Sequence, residues 1–352
     1  MSKKKVLVGI SGGVDSAVSA YLLQQEGYEV YGGFMVNYLA PQGEYCPTKE
    51  DLAEARKVSD FLGLKDFFIF NYVDEYEDKV LNYMYEGYKK GITPNPDIMC
   101  NSEIKFRVFL DEAMAAGFDY IATGHYANIT CDDKGIYHLK KGVDNNKDQS
   151  YFLAGLGQDQ LSKAIFPIGN LEKSEVRKIA EKIGLPNAKR KDSQGICFVG
   201  KVDMSKFLEK KIPNLEGNIV DTSGNILGKH KGIFYYTIGQ RKGLGIGGGP
   251  AIYVVGKDIE KNEIIVGGEK DLALFSQKLT ANNVHYLAEK IEMPFKAKAK
   301  TRYRQADQDC EVFDLGGGRI KVEFKEPQRA ITSGQVVAIY KEDELIVSAF
   351  ID

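Results

Sequence analysis

Six consecutive residues near the start of the chain have the types that bind phosphate groups. The run Ser11-Gly12-Gly13-Val14-Asp15-Ser16 follows a short apolar stretch and precedes a helical pattern. Two glycines let backbone N–H groups approach an anion closely, and the N-terminus of a helix adds a favourable dipole. The serine hydroxyls can bind phosphate oxygens, and Asp15 can hold the metal that accompanies them. Because the loop lacks the lysine of a Walker A sequence, it does not predict a kinase-like grip on a γ-phosphate.

Two of the five cysteines lie where a thiol would be activated. Cys100 stands just before a predicted helix start at Asn101, and the N-terminus of a helix stabilises a thiolate. Cys197 follows the three cations at 189–191, which favour the same ionised form. A buried structural cysteine is the alternative at both positions, and we interpret the other three cysteines as structural. The sequence contains no C-x-x-C pair, which argues against a zinc site, an iron–sulfur cluster and a disulfide scaffold.

Longer motifs around these residues resemble a known family. The phosphate loop is similar to that of the N-type ATP pyrophosphatases, which cleave ATP between the α- and β-phosphates. Further stretches resemble the motifs of the bacterial tRNA 2-thiouridylases: TPNPDIMCNSEIKF (93–106), GHYA (124–127), KDQSYFL (147–153), KDSQGICFVG (191–200), YTIGQRKGLGIGGG (236–249) and KTRYRQ (300–305). These motifs occur in order over nearly the whole chain, which makes the resemblance far more specific than the phosphate loop alone.

The resemblance implies ATP-dependent 2-thiolation of the wobble uridine, position 34, of tRNA. ATP, accompanied by Mg²⁺, would adenylate the uracil C2 oxygen, and AMP and diphosphate would be released. It implies that Cys197 carries sulfur as a persulfide received from a cysteine desulfurase or a sulfur-relay protein. Cys100 would be the partner nucleophile, and a transient Cys100–Cys197 disulfide would close the cycle. Asp97 is a candidate general acid or base beside uracil N3, with a structural helix cap as the alternative.

The resemblance also assigns binding residues. For ATP it implies Gly9, Ile10, Ser11, Gly12, Gly13, Val14, Asp15, Ser16, Met35 and Gly124. For tRNA it implies Asn95, Pro96, Asp97, His125, Lys147, Asp148, Gln149, Arg302, Tyr303 and Gln335. Core packing of Met35 and a loop hydrogen bond of His125 are the plain alternatives.

A period-two alternation near the C-terminal third predicts a cationic strand face. On one strand, five cations would share one side: Lys296, Lys298, Lys300, Arg302 and Arg304. Such a strip suits a nucleic-acid phosphate backbone, and the alternative is a solvated edge strand guarded by lysines. Arg241 and Lys242, in a glycine-rich loop, could add a second contact.

The elements that must position these residues alternate in type over the first two hundred positions. Strands are predicted at 6–10, 29–36, 66–72 and 119–123. Helices are predicted at 15–26, from Thr48 with Asp51 as its capping partner, at 74–90 and at 103–116. Strands alternating with helices predict an α/β fold with a parallel sheet, and the short alternating segments after Lys211 predict small β-domains. Together with the resemblance, this gives a Rossmann-like ATP pyrophosphatase domain (1–205), a small central β-rich tRNA-binding domain (206–275) and a C-terminal β-barrel (276–352).

Composition sets outer limits on the function. The 352 residues are 43% hydrophobic and 27% charged, which is typical of a globular protein of two or three domains. A net charge of −2 gives no global basic field, so RNA binding would need local patches. No apolar run approaches the ~20 residues of a membrane helix, and the first apolar run is too short for a signal peptide, which predicts a cytoplasmic protein. Two alternatives stay open: an ATP-pyrophosphatase-type synthetase acting on a small molecule, and a noncatalytic protein that binds tRNA and ATP.

Overall fold

The computed structural model describes residues 3–41, 46–192, 195–200, 203–247 and 249–352. Ser193 and Gln194 of the second cysteine motif, and Gly248 of the glycine-rich motif, lie outside the described residues. None of the helices in the described ranges has the length and apolar character that crossing a lipid bilayer requires.

A five-stranded parallel sheet organises the first two hundred residues. In chain order the strands of this part are β1 (Lys5–Gly9), β2 (Glu29–Val36), β3 (Phe67–Asn71), β4 (Tyr120–Ala122), β5 (Ala127–Cys131), β6 (Tyr137–Lys141) and β7 (Ala164–Ile165). The sheet order is β3-β2-β1-β4-β7, and every pairing is parallel. The order reverses at β1, so the crevice at the carboxyl ends of β1 and β4 is the place where such sheets bind ligands.

Helices pack on both faces of this sheet. They are α1 (Val14–Gln25), α2 (Thr48–Leu62), α3 (Val73–Tyr76), α4 (Asn82–Lys89), α5 (Pro96–Met99), α6 (Phe109–Ala115), α7 (Gln158–Leu161) and α8 (Lys173–Lys182). Leu7 of β1 packs into the core formed with α3 to α6, while Val6 and Val8 pack into the core formed with α1, α2 and α8. Burial on both faces explains why β1 is a continuous apolar run.

Two predicted helices contain π-helical segments. Glu77–Leu81 joins α3 to α4, and Cys100–Val108 joins α5 to α6. Apolar spacing does not show this, because a π-segment inserts a wider turn into a pattern that still looks helical. The predicted capping pair of α2 is also wrong. Pro47 is its N-cap, and the Thr48 hydroxyl donates instead to the Tyr38 carbonyl at 2.8 Å.

A smaller sheet follows the short helix α9 (Met204–Glu209). Its strands are β8 (Gly217–Asp221), β9 (Ile226–His230), β10 (Ile252–Asp258) and β11 (Glu263–Gly268), in the order β10-β11-β8-β9. The β8–β11 pairing is parallel, and the other two are antiparallel. Ile219, Val254 and Ile264 are fully buried in a core that also includes Tyr236 and Leu244 of the glycine-rich motif.

The C-terminal part is a closed six-stranded barrel. Its strands are β12 (Phe275–Tyr286), β13 (Phe295–Lys300), β14 (Gln308–Gly316), β15 (Arg319–Arg329), β16 (Val336–Lys341) and β17 (Glu344–Ile351). The order β12-β15-β14-β13-β16-β17 closes because β17 also pairs with β12. The β5–β6 hairpin of the first part extends this sheet, with Leu139 opposite Leu345. The barrel is therefore joined to the parallel-sheet part by backbone hydrogen bonds as well as by the chain.

The predicted cationic face at 296–304 is wrong beyond Lys298. Lys296 and Lys298 are exposed, but β13 ends at Lys300, whose side chain is only 10% exposed. Its ammonium lies 3.4 Å from Asp148 and 3.5 Å from Asp307. The chain then turns, so the alternation of the sequence no longer describes a strand.

Lys300 belongs to a buried ion cluster between the barrel and the β5–β6 hairpin. Lys141 of β6 pairs with the same Asp307, and its ammonium lies 4.4 Å from the centre of the Tyr340 ring. The Lys300 ammonium lies 5.4 Å from that ring. Two cations therefore share two carboxylates and one aromatic face, which fixes the barrel against the first part.

Replacing Lys300 tests this cluster. Lys300→Met leaves Asp148 buried without its cation, and we expect the free energy of unfolding to fall by about 3 kcal/mol. Urea-induced unfolding followed by circular dichroism measures the change. Lys296→Met, on the exposed side of the same strand, is the matched control and should change stability by less than about 0.5 kcal/mol. Equal effects of the two substitutions would contradict the buried role of Lys300.

Candidate active site

The phosphate loop opens toward the N-terminus of α1. Gly13 is the N-cap and has no side chain to satisfy the first N–H groups of the helix, so these remain available to an anion. The Ser16 hydroxyl donates to the Gly13 carbonyl at 3.1 Å, and the Ser11 hydroxyl accepts from the Gly13 N–H at 3.3 Å. Gly12 has φ of +75°, and a Cβ there would lie 2.8 Å from the Asp51 carbonyl oxygen. The loop therefore requires glycine at this position.

Cations from distant parts of the chain surround this loop. Lys173 at the start of α8 reaches Asp15 at 2.7 and 2.9 Å and Asp192 at 2.8 Å. Lys147 and Arg177 also pair with Asp192, at 2.7 and 2.9 Å. Burial alone would raise the pKa of Asp192, but the hydrogen bonds from Lys147 and Lys173 outweigh it and lower that pKa to about 2. No sequence spacing indicates Lys173, because only the fold brings α8 beside α1.

The remaining residues assigned to the nucleotide meet at the carboxyl ends of the central strands. A Cβ on Gly124 would lie 2.7 Å from the Ser16 nitrogen, and a Cβ on Gly9 would lie 3.3 Å from the Met35 methyl. Ile10 and Val14 are buried beneath the loop. Gly9 to Ser16, Met35 and Gly124 are thus brought together at the switch point of the sheet.

The helix that carries Cys100 begins earlier than predicted. Asn95 is its N-cap, accepting from the Ile98 N–H at 3.3 Å, and Pro96 is its first residue. Cys100 therefore lies inside the helix, at the start of the π-segment, and is fully buried. Burial, and then a hydrogen bond to Cys197, raises the pKa of the Cys100 thiol. The predicted stabilisation of a Cys100 thiolate by a helix N-terminus is therefore wrong, because Cys100 lies within the helix and its pKa is raised.

Hydrogen bonds to the backbone of Cys197 hold this residue beside Cys100. The Tyr76 hydroxyl donates to the Cys197 carbonyl at 2.6 Å, and the Cys197 N–H donates to the Asp97 carboxylate at 3.2 Å. The next residue, Phe198, has φ of +66°, which a phenylalanine rarely adopts. Both thiols are free, and the Cys100 thiol faces the Cys197 sulfur.

A lysine that the sequence reasoning missed completes this cluster. The Lys105 ammonium lies 5.6 Å from the centre of the Phe198 ring. The pKa of Cys197 is lowered, first by the hydrogen bond from Cys100 and then, against the effect of burial, by the charge of Lys105. Arg190, the middle one of the three upstream cations, is engaged elsewhere, since it pairs with Asp51 and donates to the Gly12 carbonyl at 3.0 Å. The available signal was the position of Lys105 within the first cysteine motif.

A cavity of about 280 Å³ opens beside the cysteines. Asp97, Phe152, Ile196 and Gln335 contribute to its walls, so it lies between the first part of the chain and the barrel. Burial raises the pKa of Asp97. A carboxyl with a raised pKa in a cavity wall is a candidate general acid or base.

His125 lies between the phosphate loop and the cysteines. Its ring is buried, bonded to the Thr123 hydroxyl at 2.7 Å and 5.9 Å from the Phe106 ring. Burial, and then the charge of Lys105, lowers the pKa of His125 well below its usual range. The structure therefore supports the loop hydrogen bond, and the predicted RNA contact of His125 would need a change of conformation.

The residues assigned to tRNA fall into two groups. Asn95, Pro96, Asp97 and Gln335 line the cavity, with the Gln335 amide donating to the Thr93 carbonyl at 2.7 Å. The other residues make contacts within the fold or lie at the edge of the site. Asp148 is buried, Gln149 accepts from the Tyr126 N–H at 3.0 Å, Arg302 donates to the Ala330 carbonyl at 2.6 Å, and Tyr303 packs 4.3 Å from the Phe152 ring. Direct RNA contacts of Asp148 and Arg302 are thus disfavoured in this conformation, while Lys147 is about one-third exposed.

In the part of the chain that the structure describes, no group of three or more histidine, cysteine or carboxylate side chains is arranged to hold a metal ion. A metal at the phosphate loop would have Asp15 as its protein ligand there, and Asp15 is engaged by Lys173 and by the Tyr126 hydroxyl at 2.9 Å.

Three family models match consecutive parts of the chain. A model described as tRNA methyl transferase HUP domain matches residues 4–201, and one described as tRNA methyl transferase PRC-barrel domain matches residues 205–268. A third, described as aminomethyltransferase beta-barrel domain, matches residues 276–351. The first covers more than half of the chain.

Relatives of known name match over the full length. A protein named tRNA-specific 2-thiouridylase MnmA from Marinomonas sp. is 50% identical over 97% of this chain and 89% of its own length. A protein of the same name from Lysinibacillus sphaericus is 49% identical over 100% of this chain and 95% of its own length. A solved structure, U34-tRNA thiolase NcsA from Methanococcus maripaludis with its 4Fe–4S cluster, is 19% identical. It covers 60% of this chain and 69% of that one with a TM-score of 0.38, a likeness that carries no functional argument.

Mild oxidation tests the contact between the two thiols. Treatment with diamide should join Cys100 to Cys197, because adjacent thiols need little backbone movement to form a disulfide. Digestion and mass spectrometry should recover one crosslinked peptide pair, which Cys100→Ser removes. Cys131→Ser, at an exposed cysteine, should leave it intact. A failure to form this crosslink in folded protein would contradict the arrangement.

Proposed function

The chain belongs to the tRNA-specific 2-thiouridylase family, and from that premise we propose that it replaces the C2 oxygen of a tRNA uridine, position 34, with sulfur. The observation that carries the proposal is the pairing of two free cysteines, far apart in the sequence, beside a cavity. The segment 123–125 links this pair to a phosphate loop. A thiolating enzyme needs both features, since the phosphate loop would bind the ATP that activates the oxygen and the cysteine pair would deliver the sulfur.

ATP supplies the activation. The C2 carbonyl of uracil is urea-like and a poor electrophile, and oxide is not a leaving group. Attack of the uracil O2 atom on the α-phosphate of ATP forms a bond between that oxygen and AMP and releases diphosphate. The open N–H groups of α1, together with Lys173, would bind the diphosphate and its developing charge. Mg²⁺ bound with ATP would neutralise phosphate charge, held mainly by phosphate oxygens with Asp15 beside them.

Asp97 is the proposed general base of this step. When O2 attacks phosphorus, N3–H must lose its proton, and a cavity-wall carboxylate is suited to accept it. The raised pKa of Asp97 lets it hold that proton until the thiolated base needs it again at N3. The helix-cap alternative is weakened because Asn95 is the N-cap.

Sulfur arrives as a persulfide on Cys197. Its terminal sulfur attacks C2, and the Cys100 thiolate attacks the inner sulfur and breaks the S–S bond of the persulfide. This leaves a Cys100–Cys197 disulfide and a C2–S bond, and AMP departs with the original oxygen. The buried Cys100 thiol must lose its proton first, which fits a nucleophile activated only during the reaction. A cysteine desulfurase or a sulfur-relay protein would load Cys197 again after reduction.

The uracil would enter the cavity as an extruded base. Enzymes that act on a nucleobase take it out of the stack, and Phe152 in the cavity wall offers an aromatic face. Lys147 and the exposed Lys296 and Lys298 are candidates for phosphate contacts. We keep the division into a catalytic domain (1–205), a central tRNA-binding domain (206–275) and a barrel (276–352) as part of this proposal. The cytoplasm, where tRNA and ATP occur, is its proposed place of action.

A nucleoside assay tests the reaction. The protein is incubated with ATP, Mg²⁺, a persulfide donor, a thiol reductant and unmodified tRNA, and the digested nucleosides are weighed by mass spectrometry. We expect a uridine with oxygen exchanged for sulfur, lost in Cys100→Ser and retained in Cys131→Ser. AMP release without thiolation, unaffected by Cys100→Ser, would favour the small-molecule synthetase. Binding of tRNA and ATP without AMP release would favour the noncatalytic protein.

Gly124→Ala tests ATP binding at the phosphate loop separately. A Cβ at this position would lie 2.7 Å from the Ser16 nitrogen and 2.8 Å from the Asp15 carbonyl carbon, so the loop must move. We expect ATP affinity, measured by calorimetry, to fall at least about tenfold, which corresponds to about 1.4 kcal/mol. The diamide crosslink of the cysteines should persist, since it needs no nucleotide. Unchanged ATP affinity would contradict the placement of ATP at this loop.

A further inference from the structure

Lys105 differs from the other cations around its helix. Lys79 and Arg107 both pair with Glu103, at 3.8 and 2.9 Å, on the solvent side. Lys105 instead points toward the cysteines and packs against Phe198. Lys105 is partly buried in this position, so nearby anions stabilise its charged form.

The π-segment explains how Lys105 reaches the cysteines. In an α-helix, a residue five positions after Cys100 would lie about 140° around the axis. In the π-segment Cys100–Val108, hydrogen bonds run from i to i+5 and each turn holds more residues, so positions 100 and 105 come closer to one face. The wider turn thereby directs a thiol and an ammonium to the same place.

The groups that face Lys105 come from several elements: Cys100 on its own helix, Asp97 of α5, Cys197 of the segment 195–200, and His125 after β4. Burial by itself would lower the pKa of Lys105, but Cys197, Cys100 and Asp97 outweigh it and raise that pKa. His125 is kept neutral, so Lys105 is the cation among these groups. The Tyr76 hydroxyl is committed to the Cys197 carbonyl.

We propose that Lys105 keeps the transferred sulfur anionic: its ammonium stabilises the Cys197 thiolate and the terminal sulfur of the persulfide that Cys197 carries. This inference deepens the proposed function and rests on it. Loading of Cys197 needs a thiolate to attack the donor persulfide, and delivery to C2 needs an anionic terminal sulfur. Lys105 favours both forms.

The same charge affects the end of the cycle. In the Cys100–Cys197 disulfide neither sulfur is anionic, so Lys105 loses the compensating charge of the Cys197 thiolate. Reduction by a thiol reductant such as glutathione consumes two thiols, yields one small disulfide and restores both protein thiols. A cation that stabilises the reduced form makes the protein disulfide easier to reduce. Lys105 therefore assists release from the oxidised state.

Alkylation of Cys197 as a function of pH tests this role. Lys105→Met and Lys105→Gln are treated with iodoacetamide, and mass spectrometry identifies the modified cysteine. We expect the apparent pKa of Cys197 to rise by about one unit or more, with a rate at neutral pH roughly tenfold lower. Lys105→Arg, which keeps the charge, should resemble the unchanged protein. Arg107→Gln, on the solvent side of the same helix, should have no effect.

A redox titration gives a second, independent readout. The dithiol and disulfide forms are equilibrated in glutathione mixtures, trapped with acid and counted by mass spectrometry. We expect Lys105→Gln to shift the equilibrium about tenfold toward the disulfide, equivalent to about 30 mV. Folded variants of Lys105 with unchanged alkylation profile and unchanged equilibrium would overturn the proposal. Neither measurement uses tRNA or ATP, so a failed thiolation assay would be a separate result.

Discussion

The contact between the segment 195–200 and the helix that begins at Pro96 is the interaction on which the candidate site depends. Cys197 reaches Cys100 because its backbone carbonyl and N–H are bound by Tyr76 and Asp97, at 2.6 and 3.2 Å. These bonds fix the position of Cys197. The left-handed conformation of Phe198 is the local strain that they hold in place. Without this contact Cys197 would not be held beside the buried Cys100.

The two cysteines share one cluster but not one environment. Cys100 is fully buried in a helix, and its pKa is raised, whereas Cys197 is partly exposed, and its pKa is lowered. This difference suits the proposed roles, in which Cys197 receives sulfur from a donor and Cys100 later attacks the persulfide. The burial of Cys100 and the hydrogen bond between the two thiols, which lowers the pKa of Cys197 and raises that of Cys100, produce the difference, since the side chains themselves are identical.

Ionic clusters position the two ends of the site. At the phosphate loop, Lys173 bridges Asp15 and Asp192, so the loop already holds a cation where phosphate charge would develop. At the barrel, Lys300 and Lys141 share Asp307 beside Tyr340 and help to hold the barrel against the β5–β6 hairpin. The alternation of the sequence predicts Lys300 as part of an RNA-binding strip, and its burial shows that it has a structural role instead.

The sequence by itself determined the parts of this protein that depend on local pattern. Continuous apolar runs identified β1 and β2, the glycine-serine run identified the phosphate loop, and the motifs around Cys100 and Cys197 indicated the family. Local pattern failed where long-range packing decides. The burial of Lys300 beside Asp148 and the approach of Lys173 to Asp15 follow from contacts between residues distant in the chain. Only the tertiary structure sets the dielectric and the charges around each thiol, and these decide which cysteine ionises.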